Sequence, residues 1–158
     1  MPFLHDIVIE ESIVIHASPE ELYSCLTGIV DDEGFRKLNA DNISFRWIKG
    51  EPWAEGSIAC AGKFLHGKPH KFRFIISRAV PCRHIEYRPT SGLIGIFFPK
   101  KEFIIEQTAS GCRFISSATF RIGWIAERFF RRKIDEGLSA FRKYLRTEGK
   151  NLKKILET

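Results

Sequence analysis

The sequence predicts an α+β domain in which an antiparallel sheet of about seven strands is covered on one face by a long C-terminal helix, with two short helices after the first strand. Three observations carry this. Segments across the middle alternate apolar and polar residues with period two, which sends aromatic side chains to one face of each strand and charges to the other. From Trp124 onward no proline occurs, and Phe130, Ile134, Leu138, Phe141, Leu145, Leu152 and Ile155 recur at helical spacing as one apolar stripe. Residues 1–158 fit a single domain with room for a sizeable core.

Taken in order, "DIVIEESIVIHA" is rich in β-branched residues and reads as a long first strand. "SPEELYSCLTG" then carries the signals of a helix start: Ser18 as N-cap, Pro19 at the first helical position, Glu20 and Glu21 in the first turn and Gly28 as the stop. A second short helix is expected from Asp31 to about Leu38, again led by acidic residues. In the strands that follow, Phe45 and Trp47 share a face, as do Phe72, Phe74 and Ile76, then Ile85 and Tyr87, then Phe103 and Ile105. In "CRFISSATFRIG" the inward set is Phe114, Ser116, Ala118, Phe120 and Ile122. One wet face and one aromatic face are what an antiparallel sheet covered on one side requires.

"SGLIGIFFPKK" interrupts this pattern. A simple hairpin needs only about 2–5 turn residues, and ordinary loops are polar. Leu93, Ile94, Ile96, Phe97 and Phe98 are therefore expected partly to extend strand ends and partly to form a flap, with Phe97 or Phe98 turned inward. The alternative is ordinary strand packing. Pro99, Lys100 and Lys101 are read as an exit towards solvent.

Lys and Arg exceed Asp and Glu to give a formal net charge of +6, which permits contact with phosphates or anionic lipid but specifies neither. The four cysteines form no CxxC pair and sit among apolar or strand residues, as free thiols in a reducing compartment do. The N-terminal stretch lacks the basic and uninterrupted apolar regions of a signal peptide, and no apolar run reaches the ~18 residues of a spanning helix. A cytoplasmic location is expected. No P-loop, GxGxxG or GxSxG motif precedes a helix, so nucleotide, dinucleotide and covalent hydrolase chemistry lack their usual support.

"IVIHASPEELYSCLTG", "FRWIKGEPWAEGS", "RHIEYRP" and the closing "EGLSAFRKYLRTEGKNLKKILE" resemble the START-related superfamily of polyketide cyclases/dehydrases and lipid-transfer domains, over essentially the whole chain. The resemblance implies the helix-grip fold, a curved sheet gripping the last helix around a deep apolar cavity. The shared residues are structural, so the resemblance specifies the fold far better than the ligand.

With that fold, the candidate ligand-binding residues are Phe45, Trp47, Phe64, Phe72, Phe74, Tyr87 and Phe103, with Phe97 from the flap. Phe114, Ser116, Phe120, Phe141 and Glu148 complete the lining. Tyr87 and Ser116 are polar groups that parity sends inward. Glu148 falls on or beside the apolar stripe, where a carboxylate needs a partner: a strand Arg or backbone, or else a ligand or an acid–base role. Trp47 and Trp53 bracket a turn and one of them could border the cavity mouth. His66 and His70 have metal-ligand spacing only on a helix, whereas Gly67 and Pro69 indicate a hairpin, and the carboxylates at 31 to 33 are explained by a helix dipole. His84 points to the polar face. No metal or cofactor is called for, and no catalytic residue is identifiable.

The leading expectation is non-covalent binding or transport of a hydrophobic molecule, lipid-like or polycyclic. The alternatives are a cyclase/dehydrase-like enzyme acting on a hydrophobic carbonyl substrate and a protein-interaction module with a basic helix. "ERFFRRK" and "KNLKK" make that helix basic, which leaves weak contact with an anionic membrane open and gives little support to nucleic-acid binding.

Overall fold

β1 (Leu4–Ile15) leads through α1 (Pro19–Thr27) and α2 (Asp32–Leu38) into a meander of β2 (Asn42–Lys49), β3 (Ile58–Leu65), β4 (Lys68–Val80) and β5 (His84–Pro89). A short α3 (Gly92–Phe97) separates β5 from β6 (Lys100–Thr108) and β7 (Gly111–Gly123), and α4 (Trp124–Leu156) closes the chain. This computed structural model describes residues 4–65 and 67–158. The seven strands form one curved antiparallel sheet in the order β1-β7-β6-β5-β4-β3-β2, so the first strand completes the sheet beside the last.

The helix starts follow from local chemistry. Ser18 and Glu21 form a reciprocal cap on α1: Ser18 Oγ accepts from the Glu21 amide at 3.1 Å and Glu21 Oε1 from the Ser18 amide at 3.4 Å. On α2, Asp31 accepts from the Gly34 amide at 2.8 Å, while Asp32 accepts from the Phe45 amide at 2.7 Å and ties the helix to β2. The acidic run at 31 to 33 is thus largely engaged by backbone donors. Gly111, at φ 154°, lets the β6–β7 turn lie against the end of β1, where a Cβ would meet the Ile15 carbonyl.

Two apolar cores fill the space between sheet and helices. One joins Ile15, Leu22, Leu26, Phe35, Phe45, Trp53, Phe114 and Leu152, the other Ile9, Ala118, Tyr144 and Leu145 with Phe98, Phe120 and Phe141 packed on it. On β7, Ser116 lies between Phe114 of the first core and Ala118 of the second. On α4, Glu148 likewise lies between Leu152 and Leu145. The boundary between the cores is therefore polar.

Four expectations need correction. Residues 92–97 form α3 rather than strand ends, capped by Ser91 and with no buried residue. Phe97, expected to line the site from the flap, is exposed; of the two residues expected to turn inward it is Phe98 that does so, against Phe120 at 5.1 Å and Phe141 at 6.1 Å. Lys101 does not lead to solvent but is fully buried. The stripe on α4 is shorter than the sequence period implies: Phe130 and Ile155 are exposed, and Phe130 breaks the helix at φ −125°, ψ 24°. Neither Pro nor Gly stands at that break, which precedes the buried part of α4. Tyr144 and Leu156 pack inward with Leu145 and Leu152 instead.

Candidate functional site

The concave face carries a line of touching rings. Trp47 meets Trp53 at 5.2 Å and Phe45 meets Phe74 at 6.1 Å; Phe74 then meets Tyr87 at 4.5 Å, Tyr87 meets Phe103 at 5.9 Å and Phe103 meets Phe114 at 5.5 Å. Strand parity produces this arrangement, because Phe45 and Trp47, Phe74, Tyr87, Phe103 and Phe114 occupy inward positions of β2, β4, β5, β6 and β7, and Trp53 joins them from the turn after β2. Phe120 and Phe141 extend the aromatic surface at the far core, 5.2 Å apart. Phe72 shares the inward face of β4 and is half-buried. Phe64 is a correction: it is one residue out of phase with Ala59, Ala61 and Lys63, and is 44% exposed on the other face of the sheet. Phe97 is exposed on α3. Trp53, at φ 65°, is buried and donates from Nε1 to the Ile29 carbonyl at 2.9 Å, so it braces the turn after β2.

Within this aromatic setting lies a polar cluster. Lys101 Nζ donates to Glu148 Oε1 at 3.1 Å, with side-chain exposures of only 1% and 3%, and Ser116 Oγ donates to the same oxygen at 3.2 Å. Glu148's partner is thus a strand lysine. The Lys101 ammonium also stands 3.9 Å from the Phe103 ring centroid and 5.5 Å from that of Tyr87. Lys63 reaches in from β3, its Nζ 4.5 Å from the centroid of Tyr144 and 5.7 Å from that of Phe35. Tyr144 donates to Asn42 Oδ1 at 2.7 Å, and Asn42 donates to the Phe35 carbonyl at 2.8 Å.

The electrostatics follow from burial and charge count. Burial opposes the charge on Lys101, but Glu148 and Tyr87 outweigh it and hold the amine above its ordinary value. Lys63 is pushed down to about 8, chiefly by burial and then by Lys101, against the pull of Glu148. Burial raises Tyr87, with Lys101 opposing, and burial and Glu148 raise Tyr144 well above the usual phenol range.

Sequence reasoning reached Tyr87, Ser116 and Glu148 but passed over Lys101, Lys63, Asn42 and Tyr144. The signal was available in part: Lys101 precedes Phe103 by two positions and Lys63 follows Ala61 by two, which places both lysines on the inward parity.

Other polar groupings are of a different kind. On the opposite face, Lys100 bridges Glu102 at 3.0 Å and Glu86 at 3.5 Å, His84 lies 3.5 Å from Glu102, and Ser77 donates to Glu86 at 2.6 Å. This is a cross-strand charge ladder. Burial disfavours the Glu86 carboxylate, but Ser77, Arg88 and Lys100 together lower its pKa. His70 is exposed and stacks on Phe72, while His66 lies outside the described residues. Among the described residues no three His, Cys, Asp or Glu side chains gather as a metal site. No described helix is long and apolar enough to cross a membrane.

A family model described as polyketide cyclase / dehydrase and lipid transport matches residues 6–146. The fold is shared with solved structures of low sequence identity. The di-domain ARO/CYC protein BexL from the BE-7585A biosynthetic pathway superposes with a TM-score of 0.73 at 12% identity, over 97% of this chain and 50% of that one. Norcoclaurine synthase from Thalictrum flavum, solved with dopamine and hydroxybenzaldehyde, gives 0.69 at 13% identity, over 98% and 88%. The Polyketide_cyc-like protein Cgl2372 from Corynebacterium glutamicum gives 0.60 at 19% identity, over 99% and 94%. A comparison with curated proteins returned no match.

Proposed function

Because the chain belongs to the polyketide cyclase / dehydrase and lipid transport family, we propose that it binds or carries a hydrophobic small molecule between the concave sheet face and α4. The observation that carries this reading is the Lys101–Glu148–Ser116 group set between two apolar cores, beside the rings of Tyr87 and Phe103. Apolar walls with a few convergent polar groups are the usual makeup of a small-molecule site. Phe45, Trp47, Phe72, Phe74, Phe114, Phe120 and Phe141 supply the rest of the wall. The rings already touch, so a guest enters by displacing side chains, and Phe98, which leads out of the exposed α3, is the side chain best placed to yield.

The test is native mass spectrometry of the freshly purified protein, with extraction and identification of any bound molecule. A co-purifying apolar compound is the expected result. A spectrum of bare chain, together with no saturable uptake of a neutral apolar dye by folded protein, would sink the proposal.

A second reading, a cyclase/dehydrase-like enzyme, is favoured by one observation. Lys63, at about 8, and Tyr87 both lie near Glu148, so an amine close to neutrality and a phenol face the same wall. Recovery of a polycarbonyl compound and its altered product would favour this reading; an unchanged acyl chain would favour the carrier.

Delivery to an anionic membrane is a compatible extension. Phe97 is 54% and Phe129 72% exposed, and Leu93, Trp124 and Ile125 are exposed near them in sequence. Arg128, Arg131, Arg132 and Lys133 accompany the apolar start of α4. Apolar side chains edged by cations suit an interface carrying negative headgroups.

A further inference from the structure

The polar cluster does not balance in charge. Lys101 and Glu148 neutralise one another at 3.1 Å. Lys63 is left over: among the described residues no carboxylate oxygen lies within 4.0 Å of its ammonium, and its close neighbours are ring faces. A lysine on a strand has a long enough stem to carry its charge out to water. Here the residue is half-buried, and its Nζ, still touched by water, turns over the ring of the buried Tyr144.

The hydrogen-bonding inventory leans the same way. Glu148 already receives Lys101 and Ser116, and Asn42 Oδ1 already receives Tyr144. The three N–H groups of Lys63 make no hydrogen bond to a described residue, and Lys101 has N–H groups beyond the one given to Glu148. The site therefore has donors and positive charge to spare and few free acceptors. We infer that the bound molecule is an apolar carboxylic acid whose carboxylate sits between Lys63 and Lys101 with its hydrocarbon body along the aromatic wall. This rests on the small-molecule reading above and adds the class of head group to it. One uncompensated positive charge suits one carboxylate; a phosphate monoester, at about −1.5 to −2, would overshoot it. The depression of the Lys63 pKa to about 8 is the strain that an anion would relieve.

The experiment is displacement of Nile red, a neutral apolar dye, from the full chain by decanoate, decanol and decyl phosphate, which share one alkyl tail. Wild type, Lys63→Met and Lys63→Arg are compared after circular dichroism has confirmed folding. Charge-assisted hydrogen bonds of about 1.5–3 kcal/mol correspond to roughly 10–100-fold tighter displacement by decanoate than by decanol. Lys63→Met should bring the two within about two-fold while still binding Nile red, and Lys63→Arg should keep the preference. Equal potency of decanol and decanoate on wild type, or a preference that survives Lys63→Met, overturns the inference and leaves the binding reading standing. Decyl phosphate outcompeting decanoate overturns the carboxylate assignment. Failure of folded wild type to bind Nile red removes the binding reading, and the inference with it.

Discussion

Glu148 on α4 and Lys101 on β6 meet at 3.1 Å with almost no exposure to water, which makes this ion pair a buried charged clamp between the helix and the sheet. Removing one partner of a buried pair strands the other charge at a cost of roughly 3–5 kcal/mol, whereas replacing both with apolar residues is often neutral. Lys101→Met and Glu148→Gln should therefore each lower stability by about that amount in urea unfolding, and Lys101→Met/Glu148→Leu should recover most of it. Additive losses in the double variant would refute the coupling.

Lys63 makes a pH prediction with a definite sign. Its folded-state value of about 8 lies below the ordinary 10.5, so above pH ~8 the unfolded chain holds a proton that the folded chain has released. Stability contributed by this group therefore rises with pH from ~8 towards 10, and is flat below. Tyr87 and Tyr144, raised by burial, act in the opposite sense above about 10, where the unfolded chain loses its phenolic protons first. Urea midpoints measured across pH ~7.5 to ~9.5 should climb in wild type relative to Lys63→Met. Parallel curves for the two proteins would show that Lys63 keeps its ordinary value.

The exposed start of α4 and α3 make a prediction about membranes. Wild type should co-sediment with vesicles of phosphatidylcholine and phosphatidylglycerol, less so as salt rises, and hardly with phosphatidylcholine alone. Phe97→Ser/Phe129→Ser should abolish the association without loss of fold, since both side chains are exposed. Equal recovery with neutral vesicles would remove the electrostatic part, and no recovery at all would remove the membrane reading.

How much of this was legible in the sequence depended on whether a local rule or a distant partner decided the outcome. Ser18 and Asp31 announced their helices because capping is settled within three residues. Phe103, Phe114 and Phe120 announced the inward face through parity. Glu148 could be seen to need a partner, but Lys101 stands 47 residues away in the chain, and the Pro-Lys-Lys context suggested solvent. The run from Leu93 to Phe97 misled because a short apolar segment has no period long enough to separate strand from helix. Phe130 misled for a different reason: helical spacing continues past the point where the sheet stops offering a surface to cover.

α3 provides the last prediction. It spans six residues, has no buried side chain, and is followed by Phe98, whose contacts with Phe120 and Phe141 tie the segment to the second core. A helix this short has little intrinsic stability, so its persistence depends on that anchor. Amide hydrogens of residues 92–97 should exchange quickly, while those of β6 and β7 stay protected, because the segment can open without disturbing either core. Phe98→Ala should speed exchange there further and leave the β6–β7 ladder unchanged. If α3 covers the way in, saturating the chain with decanoate should slow exchange at 92–98 in wild type by several-fold, and Phe98→Ala should weaken that effect. Strong protection of the segment in the chain alone would show that α3 is a fixed part of the fold and that entry, if any, lies elsewhere.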